Sequence, residues 1–210
     1  MPLVGRADFC PPNIEESGGC PEYLEAALIR QYPKLFVRQG GVLNVYLLNG
    51  RVQHFKDTPL NEKEDNIEKF VSYSLQEVFP EIGYALINVS VWEGGTYYLL
   101  NLKTGVQTDV GGEAVISPDK RRLAVWNVDI EAEYTANVLA VYRVTASDLV
   151  EEFRVSPDDW GADDVVWQGN GVIRFTRNYW GESDIEKREQ ILRLVDTGKS
   201  QPAWRLDSRK

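Results

Sequence analysis

This chain is poor in the residues that most often build metal centres: of its 210 residues, one is histidine, one methionine and two cysteine. Cys10 and Cys20 stand ten apart and His54 lies far from both, so a sulfur or imidazole site lacks the further ligands it needs. Positive charge is scarce too. The 23 Lys and Arg face 32 Asp and Glu, a formal charge of −9, which repels phosphate backbones and anionic membrane surfaces over a Debye length and argues against nucleic acid as a partner. No apolar run is long enough to span a bilayer, and Met1-PLVGRAD lacks the apolar stretch of a signal peptide. Missing as well are the Gly-x-Ser-x-Gly elbow, the phosphate loop, the dinucleotide fingerprint and the metalloprotease helix. No cofactor is implied, and the chemistry expected is binding rather than catalysis.

The cysteines flank Pro11-PNIEESG-Gly19, a short loop of turn-forming residues. It reads as a disulfide between Cys10 and Cys20 pinning the N-terminal segment, the alternative being two reduced thiols. A disulfide implies an oxidising compartment, so a periplasmic or secreted protein is expected.

What the chain has in abundance is turn-centred hairpins. They cover Val42–Lys56, Thr96–Val110, Val138–Val155 and Gln190–Leu206, with turns at Asn49-Gly50, Lys103-Thr104-Gly105, Ala146-Ser147-Asp148 and Asp196-Thr197-Gly198. Gly, Asn and Asp suit such turns because they tolerate positive φ. From Gly50 to Gly105, Ser147 and Gly198 the steps are 55, 42 and 51 residues, which bracket one four-stranded unit. The fold class expected is all-β, mainly antiparallel, with two short helices: a small β-propeller or propeller-like array of about four repeats in a single domain. Residues 1–33 hold the N-terminal loop and a helix over Glu22–Gln31, with Leu24, Ala27 and Leu28 on one stripe. Residues 34–110 hold two units and a second helix inserted at 61–79, where Ile67, Phe70, Val71, Ser74, Leu75 and Val78 keep helical spacing. Residues 111–206 hold the last two units.

The third unit is the clearest, with strands at Glu113–Ser117, Arg122–Asn127, Asn137–Val144 and Leu149–Val155. Leu123, Ala124, Val125 and Trp126 suit a strand buried on both faces. The phrase ISPDKRRLAVW from Ile116 to Trp126 resembles the WD-like propeller repeat of the TolB type, whose pattern is a Ser-Pro-Asp-Gly turn, a basic pair and an apolar strand; Lys120 stands where the pattern has Gly. The resemblance covers residues 113–155 and implies a scaffold that often presents a protein-binding surface. It carries no catalytic residues to this chain.

Alternation of the chain in such units sends the second-to-third-strand loops and the inter-unit linkers to one end. Those segments contain Asp129, Glu131 and Glu133, then Asp158, Asp159, Asp163 and Asp164, together with Tyr134, Trp160, Tyr179 and Trp180. An acidic end studded with aromatics can steer a cationic partner and anchor it with desolvated rings. The expected function is a non-enzymatic, exported module that masks a basic protein, as an inhibitor or a toxin-neutralising immunity protein would. The alternative is a carbohydrate- or calcium-dependent ligand-binding protein, or a carbohydrate-active enzyme, using Trp160 and Trp180 as stacking platforms. The cluster Asp158–Asp164 lacks the order of an EF-hand loop. Asn88-Val89-Ser90 matches the glycosylation sequon but lies within an expected strand.

Overall fold

A computed structural model describes residues 20–60, 67–145, 147–182, 184–195 and 203–207. Cys10, and with it the expected disulfide, lies outside the described residues, as do the turn at Asp196-Thr197-Gly198 and residues 61–66. The chain divides into two compact units, residues 1–109 and 110–210. Described strands form four antiparallel sheets of three or four strands, and the described residues contain one α-helix.

In the first unit, α1 (Cys20–Gln31) leads into a meander of β1 (Phe36–Gln39), β2 (Val42–Tyr46) and β3 (Val52–Lys56). Leu24 and Leu28 lie one helical turn apart and are both buried, packed in one cluster with Phe36, Leu43, Leu75 and Ile87. A second meander follows: β4 (Val71–Phe79), β5 (Tyr84–Val91), β6 (Gly95–Asn101) and β7 (Gln107–Asp109). The second unit repeats this arrangement twice. Its first sheet is β8 (Glu113–Ile116), β9 (Arg122–Asn127), β10 (Val138–Val144) and β11 (Leu149–Val155); its second is β12 (Trp160–Trp167), β13 (Val172–Trp180), β14 (Ile185–Val195) and β15 (Ala203–Leu206). Leu123, Ala124 and Val125 of β9 are fully buried, and so are Leu139, Ala140 and Val141 of β10. These central strands are covered on both faces, which is why they read as continuous apolar runs rather than as alternation.

The helix expected over 61–79 is not formed in its described part, residues 67–79. Ile67–Lys69 make a single 3-10 turn, and Val71–Phe79 is β4. The helical spacing arises from a β-bulge. Tyr73 and Leu75 share a face at the strand period of two, but the register shifts between Leu75 and Glu77, so the next residue in the same core cluster is Val78, three further on. One such bulge converts spacings of two into a two-and-three mixture that imitates a helical stripe. The run Val71-Ser-Tyr-Ser-Leu75, alternating and rich in β-formers, carried the opposite signal.

The turn between β8 and β9 explains the phrase that resembles a propeller repeat. The Ser117 hydroxyl bonds Asp119 Oδ1 at 2.7 Å and accepts from Arg122 N at 2.9 Å, while Asp119 Oδ1 accepts from Arg121 N at 3.1 Å. Lys120 sits at φ +60°, the left-handed region that favours glycine, so the pattern's Gly has a backbone reason. Glu152 of β11 then ties the two sheets of this unit together. It accepts from Arg122 Nε at 2.7 Å, Arg143 Nε at 3.1 Å and Trp204 Nε1 at 3.1 Å, bringing β9, β10 and β15 to one carboxylate. Partial burial pushes that carboxyl up, but the bonds from Arg122 and Trp204 outweigh it and hold it below the usual range.

Lys120→Gly is expected to raise stability by about 0.5–1 kcal/mol in urea unfolding, because glycine relieves the left-handed strain, whereas Lys120→Val should lower it by at least about 1 kcal/mol. Loss of stability on Lys120→Gly would mean that the turn is not strained at this position.

Candidate functional site

Because strands alternate in direction, each meander of the second unit sends its middle turn and its outgoing linker to the same end. Three segments meet there: the β9–β10 loop (128–137), the β11–β12 linker (156–159) and the β13–β14 turn (181–184). Side chains tie the 128–137 loop to the 156–159 linker and to the end of β13 that leads into the 181–184 turn. Asn137 is the junction, its Oδ1 accepting from Asp129 N at 2.8 Å and its Nδ2 donating to the Pro157 carbonyl at 3.1 Å. Trp180, the last residue of β13, donates Nε1 to the Ile130 carbonyl at 2.8 Å and so pins the loop to the neighbouring sheet. Beneath them Gly161 leaves no room for a side chain, since a Cβ there would stand 2.4 Å from Val128 Cγ2 and 2.8 Å from Asn137 Oδ1.

Asp129 organises the long loop from within. Its Oδ1 accepts from the backbone of Ala132 and Glu133, both at 3.2 Å, and its Oδ2 accepts from Thr135 N at 2.8 Å and Thr135 Oγ1 at 3.0 Å. Partial burial raises this carboxyl, but the four bonds overcome that and leave it titrating below the ordinary carboxylate range. Asp129 is therefore a scaffold residue rather than a free surface charge. Glu133 adopts φ +57°, and the turn leaves the next residue, Tyr134, 58% exposed.

The other residues expected at this end divide in the same way. Trp160 is buried, its ring stacked on Phe175 at 6.0 Å with Arg177 4.7 Å over its other neighbourhood, so it is part of the core and not an exposed platform. Asp163 and Asp164 lie inside β12 at a bulge, not in the linker. Asp164 takes φ +49° and accepts from Thr176 Oγ1 at 3.1 Å. Both facts have one cause. The strand begins at Trp160, earlier than the apolar run suggests: Gly161 packs against Val128 and Asn137 of the 128–137 loop, and Ala162 is buried in the core cluster. Tyr179 is partly buried and donates to Glu186 Oε2 at 2.5 Å, with Arg188 5.1 Å from its ring. That bond pushes the Tyr179 hydroxyl upward.

Exposed at the end are Glu131, Glu133, Asp158, Asp159, Glu182 and Asp184, with Tyr134 and with Trp180 at 55% exposure. Among the described residues, Asp159 is the one of these acids in an ion pair, with Arg177 at 3.8 Å. Segments 128–137, 156–159 and 181–184 contain no Lys or Arg. The opposite end of this unit differs. Its β8–β9 turn carries Lys120 and Arg121 beside Asp119, and it meets the β12–β13 turn through Asp119 N and Asn170 Oδ1 at 3.1 Å. Among the described residues no group of three or more His, Cys, Asp or Glu side chains is placed to share a metal ion. Sequence reasoning missed the structural roles of Asn137 and Gly161; both stand beside turn-rich loops, but nothing local distinguishes them from other loop residues. Comparison with protein-family models, curated proteins and solved structures returns no match.

Two outcomes test this division. Trp160→Ala should cost about 3–5 kcal/mol of stability, as buried aromatic truncations do, whereas Trp180→Ala should cost about 1 kcal/mol, the lost bond to Ile130. Acid should loosen the 128–137 loop first. A carboxyl depressed in the folded state stabilises above its unfolded pKa, and that stabilisation is lost as pH falls through the lower folded value. Amide exchange at Ala132, Glu133 and Thr135 should therefore accelerate beyond the intrinsic trend below about pH 4, and Asp129→Ala should abolish the effect by exposing these amides at all pH values.

Proposed function

We propose that this protein is a non-enzymatic binding module that engages a basic protein through the acidic, aromatic end of its second unit. The observation that carries the reading is that side chains tie the 128–137 loop to the 156–159 linker and to the end of β13, at the end where six carboxylates and two aromatic rings are exposed and segments 128–137, 156–159 and 181–184 hold no Lys or Arg. Such a surface attracts cations at long range, while Tyr134 and Trp180 supply area for desolvated contact. The loops are anchored before binding, which reduces the ordering cost of association. The four meander sheets serve in this reading as propeller-type repeats, consistent with the Ser-Pro-Asp turn of the third sheet, and the role is that of an exported inhibitor or immunity protein. Trp160 is withdrawn as an anchor, and Asp129, Asp163 and Asp164 act as loop and strand supports.

The test starts by retaining host proteins on the immobilised chain and eluting with salt. Against the retained partner, reversing Asp158 and Asp159 to Lys should lower the association rate about tenfold or more at low salt and flatten its salt dependence. Trp180→Ala should chiefly speed dissociation. A partner of acidic surface, or association rates unchanged by the charge reversal, would overturn the proposal.

A further inference from the structure

The first unit holds a cleft of about 810 Å³ that plays no part in the surface above. Its size falls within the range of small-molecule sites. One wall is α1, with Ala26 and Ile29; another is β1, with Val37 and Arg38; Phe70 stands at the entrance to β4. The floor is the polar part of the β4–β5 pair. Ser72 lies opposite Ser90, and Ser74 opposite Asn88, so four short polar side chains project from one face at the corners of a rectangle. Strand geometry makes that rectangle on the order of 5 by 7 Å.

Three of the four charged groups lining the cleft, Glu25, Arg38 and Asp57, are committed to each other, while Glu22 stands exposed on α1. Glu25 Oε1 accepts from Arg38 Nε at 2.7 Å, and Glu25 Oε2 accepts from Arg38 Nη2 at 2.7 Å and Leu75 N at 2.8 Å. Asp57 Oδ2 accepts from Arg38 Nη1 at 3.0 Å, and its Oδ1 from Tyr73 N at 2.8 Å. Every carboxylate oxygen of this triad has a donor, so the triad offers no idle charge to an ionic ligand, and the charge that remains, Glu22, lies on the exposed side of α1. The floor is different. Ser90 donates to Asn88 Oδ1 at 2.8 Å and Ser74 accepts from Gln76 Nε2 at 2.8 Å, bonds that use neither the Ser74 proton nor the Asn88 amide protons nor both Ser90 lone pairs. A neutral array of donors and acceptors beneath apolar walls matches a ligand with hydroxyls along its edge and an apolar face.

We infer that the cleft between α1, β1 and the β4–β5 pair binds a neutral saccharide, with a pyranose edge bonded by Ser72, Ser74, Asn88 and Ser90 and its apolar face against Phe70 and Ile29. This site is independent of the protein-binding surface and rests on none of its residues.

The probes are glucose, galactose, N-acetylglucosamine and cellobiose, with spermidine as a cationic control, titrated into the full chain at millimolar concentrations while amide resonances are followed. At least one sugar should shift amides of β4, β5 and α1 saturably, and Ser72→Ala with Ser90→Ala should weaken it about tenfold, the loss of one to two neutral hydrogen bonds. Ile29→Trp, which fills the cleft from the helix side and leaves the floor intact, should abolish binding even if the serine pair variant folds poorly. Trp180→Ala should leave it unchanged. Four results would overturn the inference: no saturable shift with any sugar, shifts confined to the second unit, sugar binding that survives Ile29→Trp, or spermidine occupying the cleft more tightly than every sugar.

Discussion

The reversal of chain direction at every turn of an antiparallel meander is the constraint on which the rest depends. In a sheet such as β8–β11 it allows only two destinations for a loop, and it sends the 128–137 loop and the 156–159 linker to one and the 117–121 turn to the other. Residues remote in sequence are thereby made neighbours without any contact having to select them. Side-chain bonds then convert proximity into order: Asn137 to Pro157 and Trp180 to Ile130 span 20 and 50 residues respectively. A neutral hydrogen bond contributes only about 1 kcal/mol, so these bonds fix the loops on a sheet that burial of Leu139, Val141, Ile173 and Phe175 has already stabilised.

Aromatic and acidic residues in this chain take opposite roles according to position rather than type. Trp160 and Trp180 flank the same end, yet one stacks on Phe175 in the core and the other stands more than half exposed with only its indole N–H engaged. Asp129 and Glu131 are two residues apart, yet the first accepts four bonds within the loop and the second faces solvent. A carboxylate whose oxygens are filled by backbone amides and a hydroxyl keeps its charge, but has little acceptor capacity left for a direct bond to another molecule. The surface available for recognition is consequently smaller and better defined than the acidic composition alone suggests.

Much of the architecture was legible. The hairpin turns at Asn49-Gly50 and Lys103-Thr104-Gly105 join β2 to β3 and β6 to β7, and the four strands read between Glu113 and Val155 fall within a residue of β8 to β11. They were legible because turn chemistry and continuous apolar runs are local signals. The 61–79 helix failed where a bulge near Gln76 altered the period, an event fixed by pairing with β5 and invisible along β4 itself. Trp160 failed for a related reason: a tryptophan beside two aspartates reads as a loop residue until Phe175, fifteen positions later, supplies its stacking partner. The cleft of the first unit was out of reach altogether, since its walls come from segments between Glu22 and Ser90 whose serines look like ordinary strand polarity.

Whether one end of the second unit is the surface a basic protein engages is read by amide hydrogen exchange of the full chain with and without its captured partner. New protection is expected at 128–137, 156–159 and 181–184, with the turns at 117–121 and 168–171 unaffected. Protection confined to those opposite turns, or to the first unit, would contradict it.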